Sequence, residues 1–160
     1  MSNKKRPIIW TIAGADCSGG AGIAADIKTG QALNAEVCHL ITANTVQNSK
    51  QLFSVNPVQG QLLLEQAKCL LTDKIPDVIK IGLVANTEQV GAIISIIDSA
   101  KELNDRLKVI YDPVGQASVG GRFNELSVSA LKPLLAKVDV LTPNLVEASS
   151  LAQSQEHDAQ

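Results

Sequence analysis

The sequence predicts a single-domain α/β fold, in which a mostly parallel sheet carries helices on both faces. Short apolar segments alternate five times with segments of helical periodicity over the 160 residues, and this alternation is typical of strand–helix–strand units. The chain is 45% hydrophobic but only 2% aromatic, so its core is expected to be aliphatic. Several polar residues directly follow predicted strands, which is the edge where ligands of parallel sheets bind.

Five apolar runs, rich in β-branched residues, predict the strands. They are residues 8–12, 37–43, 77–84, 107–111 and 138–141. His39 alternates with apolar residues in the second run and is predicted to lie in the core. Pro113 and Pro143 lie just beyond the last two runs, where proline ends the hydrogen-bonded ladder.

Apolar residues at helical spacing and capping residues predict the helices. The helical segments are residues 21–33, residues 57–73, a segment capped by Thr87, residues 125–135 and residues 144–151. Ser18 is the predicted N-cap of the first helix, and Asn34 is predicted to end it in a left-handed conformation. Residues 153–160 are polar without a core pattern and are predicted to form a loose tail.

The overall composition argues against several classes of partner. A formal charge of -2 provides no basic surface for nucleic acid or an anionic membrane. No apolar run is long enough to span a bilayer, and the N-terminus lacks the apolar segment of a signal peptide. The cysteines, Cys17, Cys38 and Cys69, are odd in number and widely spaced, which is typical of reduced thiols in a cytoplasmic protein.

A turn of small residues, which includes Gly19, Gly20 and Gly22, joins the first strand to the first helix. Free N–H groups at the start of a helix suit anionic or polar ligands. The spacing matches neither the dinucleotide fingerprint nor a P-loop, and a tight strand–helix connection alone would also explain the glycines. Asp16 and Asp26 flank the turn. Asp26 either binds the N–H groups of a ligand or is solvated on the outer face of the helix.

An amide-rich run, residues 44–49, follows the second predicted strand and is too polar for a core strand. It is interpreted either as an ordinary polar loop or as a hydrogen-bonding wall at the end of the strand. Amide side chains both donate and accept hydrogen bonds, which suits a heteroaromatic ring. Residues 115–121 are rich in small residues and are predicted to form a flexible loop that could act as a lid.

Asp112, Asn144 and Glu147 also lie beyond predicted strands. The amide and the carboxylate three residues later share one face of a helix's first turn, and Asp112 could converge on them. Oxygen ligands of this kind hold Mg²⁺ together with water and substrate phosphates. A capping box at the start of the helix explains the same pair equally well, and the two interpretations can coexist.

Five segments of the chain carry a more specific signal. They are residues 11–29 (TIAGADCSGGAGIAADIKT), 41–48 (ITANTVQN), 80–83 (KIGL), 112–114 (DPV) and 141–148 (LTPNLVEA). In this order they closely resemble hydroxymethylpyrimidine/phosphomethylpyrimidine kinases of the ribokinase-like superfamily, and the resemblance spans residues 8–151. It implies a ribokinase-like three-layer fold. It also implies ATP-dependent phosphorylation of 4-amino-5-hydroxymethyl-2-methylpyrimidine, or of its monophosphate, in thiamine biosynthesis.

The resemblance also implies roles for individual residues. In the family, the positions of Asp26 and Gln47 hold the pyrimidine. With Asp16 added from the turn, the predicted substrate-binding residues are Gly14, Asp16, Ala21, Asp26, Gln47, Leu83 and Val114. Asn144 and Glu147 match an Asn-x-x-Glu motif that orders Mg²⁺ and phosphate in the superfamily, and Asp112 lies close to it.

The chain departs from the family pattern at its end. The family continues to a Gly-Thr-Gly-Cys anion hole that carries the catalytic cysteine and much of the ATP site. This sequence stops before it, so no catalytic residue is assigned. The 160 residues are therefore predicted to form one domain, the N-terminal part of a C-terminally truncated kinase. Two alternatives are a non-catalytic pyrimidine-binding protein and a pyridoxine or pyridoxal kinase. A homo-oligomer is also considered, because related kinases often pair.

Overall fold

The computed structural model describes residues 5–114 and 126–157, with side chains described as far as residue 152. In this part of the chain, strands and helices follow one another in a regular order. They are β1 (Ile8–Ala15), α1 (Gly22–Ala32), β2 (Glu36–Gln47), β3 (Leu52–Pro57), α2 (Gly60–Leu70), β4 (Val78–Ile81), α3 (Thr87–Leu103), β5 (Lys108–Tyr111), α4 (Val128–Leu135), β6 (Val140–Leu141) and α5 (Leu145–His157). The predicted lid, residues 115–121, lies outside the described residues.

The strands form one sheet in the order β3-β2-β1-β4-β5-β6. Neighbouring strands are parallel except for β2 and β3, which pair antiparallel. The chain leaves β1 towards β2 on one side and later crosses to β4 on the other side. The strand order therefore reverses beside β1, and such a reversal opens a crevice beyond the carboxyl ends of the central strands.

Helices cover both faces of the sheet. Helix α1 packs on β1 and β2, whereas α2, α3 and α4 pack side by side. Right-handed crossovers to opposite sides of β1 place their helices on opposite faces, so α1 lies across the sheet from the other three. The main core lies between the sheet and the α2–α4 layer, where Trp10, Ile12, Ile79, Ile81 and Ile93 are completely buried. The predicted α/β fold is confirmed. None of the described helices is both long and apolar enough to cross a membrane.

The amide-rich run belongs largely to the sheet, and strand β3 was not predicted. Strand β2 continues through residues 44–47 and pairs with β3. Thr45 is buried while Val46 is exposed, because successive side chains of a strand point to opposite faces and only one face here is covered. The Asn48 side chain accepts two backbone N–H groups of the hairpin turn. Helix α2 consequently starts later than the predicted segment 57–73.

The start of α1 differs from the prediction. The backbone N–H and the hydroxyl of Ser18 both donate to Asp16, so Ser18 does not cap the helix. Instead α1 begins after Ala21, whose backbone is extended and whose side chain offers no cap. At the other end, Asn34 has φ 56°, and its predicted left-handed conformation is confirmed.

Three further predictions are corrected. Asn86, and not Thr87, caps α3 by accepting a backbone N–H. His39 is exposed, because it alternates with the buried Leu40 and so points away from the main core. Helix α5 continues through residues 153–157, so the polar end of the chain is helical there.

Candidate functional site

A cavity of about 380 Å³ opens beyond the carboxyl ends of β1 and β4, where the strand order reverses. A cavity of this volume is typical of small-molecule sites. Its walls come from the ends of β1, β2, β4 and β5 and from the turn between β1 and α1. The edge of the sheet at which the sequence predicts a site therefore contains a cavity.

Most of the predicted substrate-binding residues meet in this cavity. Those that line it are Gly14, Asp16, Ala21, Gln47, Leu83 and Val114. Asp112 lines it as well, whereas Asp26, Asn144 and Glu147 are not among the lining residues. The substrate-binding and metal-binding roles of these residues stay predictions.

Two lining residues that the sequence analysis did not select are Thr45 and Lys80. Thr45 lies two positions before Gln47, and the two-residue period of a strand would have placed both side chains on one face. Lys80 is the charged residue in the otherwise apolar strand Val78–Ile81. A charge inside such a strand requires a polar partner, and this requirement is the signal that could have identified it.

The turn between β1 and α1 is held by its own carboxylate. Asp16 Oδ1 accepts the N–H and the hydroxyl of Ser18 at 2.8 and 2.7 Å, and Oδ2 accepts the N–H groups of Gly20 and Ala21 at 3.1 and 3.0 Å. Partial burial raises the pKa of Asp16, but these hydrogen bonds outweigh it and lower the pKa below its ordinary value. The turn was expected to offer free N–H groups to an anion, and Asp16 already occupies three of them.

The close approach of the turn to β1 requires glycine at one position. Gly22 has φ +55°, and a Cβ added there would lie 2.1 Å from the carbonyl oxygen of Gly14. Neither the dihedral nor the distance is compatible with a side chain. The glycine therefore fixes the turn against the end of β1 and shapes this wall of the cavity.

The wall formed by β2 combines polar side chains with contacts to the turn. The Thr45 hydroxyl donates to the carbonyl of Ala15 at 2.9 Å. The Cys17 thiol lies 3.1 Å from the carbonyl oxygen of Gln47. The first contact joins β2 to the end of β1, and the second joins β2 to the turn. The Gln47 amide itself can both donate and accept hydrogen bonds.

The floor of the cavity is apolar and tightly packed. A Cβ added at Gly14 would lie 2.9 Å from Leu83 Cδ2, so these two lining residues pack closely against each other. The Thr42 hydroxyl donates to the carbonyl of Leu83 at 2.6 Å.

The buried Gln89 side chain donates to the carbonyls of Thr42 and Val58 at 2.7 Å each and accepts the N–H of residue 85 at 2.9 Å. Fully satisfied buried networks of this kind fix the elements that they join.

Lys80 lies between two carboxylates at the edge of the cavity. Its Nζ is 3.2 Å from Asp26 Oδ2 and 3.8 Å from Asp112 Oδ2. Asp26 Oδ2 also accepts the hydroxyl of the buried Thr11 at 2.5 Å. Asp26 is therefore not on the outer face of the helix in bulk solvent, because it contacts Thr11 and Lys80 and its side chain is only 22% exposed.

Asn144 and Glu147 form a reciprocal capping box at the start of α5. Glu147 Oε2 accepts the N–H of Asn144 at 2.9 Å, and Asn144 Oδ1 accepts the N–H of Glu147 at 3.0 Å. The capping interpretation is thereby confirmed. Burial raises the pKa of Tyr111 to about 12, and the charges of Asp112 and Glu147 add to this effect, so both carboxylates act on the same neighbour.

The donor set at this edge suits Mg²⁺ only in part. Among the described residues, no group of three or more histidine, cysteine, aspartate or glutamate side chains is arranged to hold a metal ion. Mg²⁺ needs no such group, because it is commonly held by one or two carboxylates, water and substrate phosphates. The capping box engages one oxygen of the Glu147 carboxylate, and Asp112 lines the cavity. The metal-binding role predicted for these two carboxylates stays a prediction.

Comparison with known proteins identifies the family. The family model of phosphomethylpyrimidine kinase matches residues 16–160. The chain belongs to the phosphomethylpyrimidine kinase family. A relative in this family is the hydroxymethylpyrimidine/phosphomethylpyrimidine kinase of Escherichia coli, which is 38% identical over 151 residues, covering 92% of this chain and 54% of that protein.

Solved structures agree with the membership of the phosphomethylpyrimidine kinase family. A phosphomethylpyrimidine kinase from Clostridium difficile 630 has a TM-score of 0.78 and 30% identity, covering 91% of this chain and 62% of that chain. A pyridoxal kinase from Staphylococcus aureus in complex with pyridoxal has a TM-score of 0.76 and 30% identity, covering 92% and 52%. The predicted ribokinase-like fold is confirmed. The chain spans about half the length of the bacterial relatives it matches.

Proposed function

We propose that this chain binds 4-amino-5-hydroxymethyl-2-methylpyrimidine, or its monophosphate, in the cavity beside β1. We further propose that the activity is the ATP-dependent phosphorylation of that ligand in thiamine biosynthesis. The observation that carries the proposal is the meeting of Gly14, Gln47, Leu83 and Val114 in one cavity. These positions resemble those that bind the pyrimidine in the family, and they come from separate strand ends.

The chemistry of the cavity suits a small, uncharged heteroaromatic ring. Gly14 and Leu83 provide an apolar floor, and the Gln47 amide can pair with a ring nitrogen and an exocyclic amine at once. Asp16 already satisfies N–H groups of the turn, so this wall favours a neutral ring over an anion. A few polar groups on an otherwise apolar wall are typical of sites that bind such ligands.

The phosphoryl-transfer part of the proposal concerns Asp112, Asn144 and Glu147. ATP would supply the phosphoryl group, and Mg²⁺ would neutralise its charge during transfer. Asp112 and Glu147 would hold the ion through water, with Asn144 keeping Glu147 in place through the capping box. This arrangement uses the carboxylates as hard oxygen ligands, in the manner usual for Mg²⁺ in kinases.

Calorimetric titration of the chain with the hydroxymethylpyrimidine tests the binding proposal. We expect binding by the unsubstituted chain and about tenfold weaker binding by Gln47→Ala, since one or two hydrogen bonds are lost. Gln51→Ala is the matched control, because Gln51 is exposed in the same hairpin and does not line the cavity. No binding by the unsubstituted chain, or equal losses in both variants, would contradict the proposal.

A pyridoxal kinase is the second candidate, and one observation favours it. The structural similarity to the Staphylococcus aureus pyridoxal kinase is close to that to the Clostridium difficile phosphomethylpyrimidine kinase. Titration with pyridoxal separates the two functions, because tighter binding of pyridoxal would select this candidate. Product formation with Mg-ATP then tests the activity, and turnover by this chain would rule out a non-catalytic binding protein.

A further inference from the structure

The last residues of β2 extend beyond the strand that lies beside them. The parallel ladder between β1 and β2 ends at the pair of Ala15 and Asn44, whereas β2 continues through residues 45–47. On the other side, the pairing of β2 with β3 is shifted between Val46 and Gln47, and such a shift leaves one residue of the partner strand unpaired. Gln47 therefore lies where the regular ladder has ended on one side and is interrupted on the other.

Two side-chain hydrogen bonds connect this end of β2 to the side where β1 has ended. The Thr45 hydroxyl donates to the carbonyl of Ala15 at 2.9 Å, and the Cys17 thiol donates to the carbonyl of Gln47 at 3.1 Å. The first bond starts from β2 and the second ends on it, one at each end of residues 45–47. Together these two bonds, here called the β2 clamp, hold a stretch of strand that a longer β1 would otherwise hold through its backbone.

We propose that Cys17 and Thr45 are positioning residues, which fix the end of β2 so that the Gln47 amide is presented to the ligand. Cys17 acts on the backbone carbonyl of Gln47 itself, and Thr45 ties the preceding part of the strand to β1. The inference rests on the proposed function, because it concerns how the Gln47 amide meets the pyrimidine in the same cavity.

Apolar packing contributes little to holding this end of β2. Val46 and Phe53 are both exposed, and Gln47 is half-buried. Strand ends with few buried contacts open more readily than the core. An amide that pairs with two ligand groups at once depends on correct distances and angles, and hydrogen bonds weaken steeply when these deviate. A mobile backbone at Gln47 would therefore reduce the affinity for the ligand.

A measurement on the ligand-free protein tests the clamp directly. We would record ¹⁵N relaxation order parameters by NMR for the wild type, Cys17→Ala, Thr45→Val and the double variant. We expect the backbone order parameter of Gln47 to fall from about 0.85 towards about 0.6 in the double variant. Cys17→Ser and Thr45→Ser retain a donor and should keep the wild-type value. An unchanged order parameter in the double variant would overturn the inference.

Matched controls remove the same chemical groups at the end of α2. Cys69 is an exposed free thiol, and the Thr72 hydroxyl donates to a backbone carbonyl at 2.7 Å, as the Thr45 hydroxyl does. We expect Cys69→Ala and Thr72→Val to leave the order parameter of Gln47 unchanged. Equal losses in the clamp variants and in these controls would overturn the inference, because the effect would then be a general loosening of the fold.

Calorimetric titration with the hydroxymethylpyrimidine tests the consequence for binding. We expect Thr45→Val to weaken binding about fivefold and Cys17→Ala about threefold, since a thiol is the weaker donor. Gln47→Ala keeps the backbone carbonyl that Cys17 contacts but removes the amide, so either substitution should add little in that background. Undiminished losses in the Gln47→Ala background would overturn the inference, because the amide would then not be what the clamp positions.

The two experiments separate failure of the inference from failure of the proposed function. If the wild-type chain binds no pyrimidine, the proposed function fails, and the order parameters still decide whether the β2 clamp holds Gln47. If the wild type binds the pyrimidine but Cys17→Ala and Thr45→Val bind it as well as the two control variants do, the proposed function stands and the inference is wrong.

Discussion

Two carboxylates of this protein, Asp16 and Glu147, make the same kind of local contact at two different places in the sheet. Asp16 accepts backbone N–H groups of the turn after β1, and Glu147 accepts a backbone N–H at the start of α5. Only Asp16 lines the cavity. The difference lies in the strand that each one follows, because β1 is central and lies beside the reversal of strand order, whereas β6 lies at the edge of the sheet.

The comparison shows that a local hydrogen-bond pattern does not by itself define a functional residue. The turn after β1 is enclosed by neighbours from β2 and β4, so a carboxylate there shapes a concave surface. The helix start after β6 has exposed apolar neighbours, Leu145 and Val146. Position in the sheet therefore decides which of the two carboxylates lines the cavity.

The largest effect that would sharpen this comparison is expected at the turn. Gly22→Ala should lower the free energy of unfolding by about 3 kcal/mol or more, because a positive φ and a backbone clash are combined there. Gly91→Ala is the control, since Gly91 lies inside α3 with open space around it and should gain about 1 kcal/mol of helix propensity. Urea unfolding measures both. A tolerated Gly22→Ala would mean that the turn is not rigid.

A smaller effect is expected at the edge of the sheet. Asn144→Ala removes one half of the capping box and should lower the free energy of unfolding by about 1 kcal/mol. Ser149→Ala serves as its control, because the Ser149 hydroxyl bonds only within the exposed face of the same helix and its loss should change little. A loss from Asn144→Ala as large as that from Gly22→Ala would erase the difference between the two regions.

The smallest effect is the pH dependence that Asp16 contributes. Its pKa lies below the ordinary value of 3.8 in the folded protein. Its contribution to stability is therefore present above the unfolded pKa and is lost as the pH falls through the folded one. The stability difference between wild type and Asp16→Asn should be constant from about pH 7 to pH 5 and shrink below about pH 4.

Urea unfolding at several pH values checks this dependence, with Asp105→Asn as an exposed control. A difference that grows as the pH falls would contradict the assignment of Asp16 as an ionised acceptor. The same result would also weaken the analogy between Asp16 and Glu147, because both depend on the carboxylate accepting backbone N–H groups.

The sequence predicted the parts of the fold that follow from periodicity. Alternating apolar segments identified the parallel strands, and Asn34 was correctly given a left-handed conformation. Strand β3 was missed because most of its residues are exposed, so it lacks the apolar pattern of a core strand. Its partner, the end of β2 at residues 44–47, is also too polar to suggest a strand. Such polar segments become strands because they pair with each other, and this pairing cannot be recognised from either segment alone.

The candidate site was predicted less evenly. Gln47 was selected by its strand end and by the resemblance, whereas Gly14 was selected by the resemblance alone, and both line the cavity. Lys80 was missed because the reason for a charge in that strand lies in Asp26 and Asp112, which are distant in the sequence. The contacts of Asp26 with Thr11 and Lys80 could not be read from the sequence, and its ligand-binding role stays a prediction.

The buried amide of Gln89 has a further consequence for how the site adapts. It connects β2 through Thr42, the start of α2 through Val58, and the segment that follows Leu83. The Gln89 side chain therefore links the β2 wall to the segment that follows Leu83, and we expect these two walls to move together. We expect adaptation to a ring of different width to depend on side-chain rotamers at Gln47 and Leu83, because hinge motion between the walls would break hydrogen bonds of the Gln89 side chain.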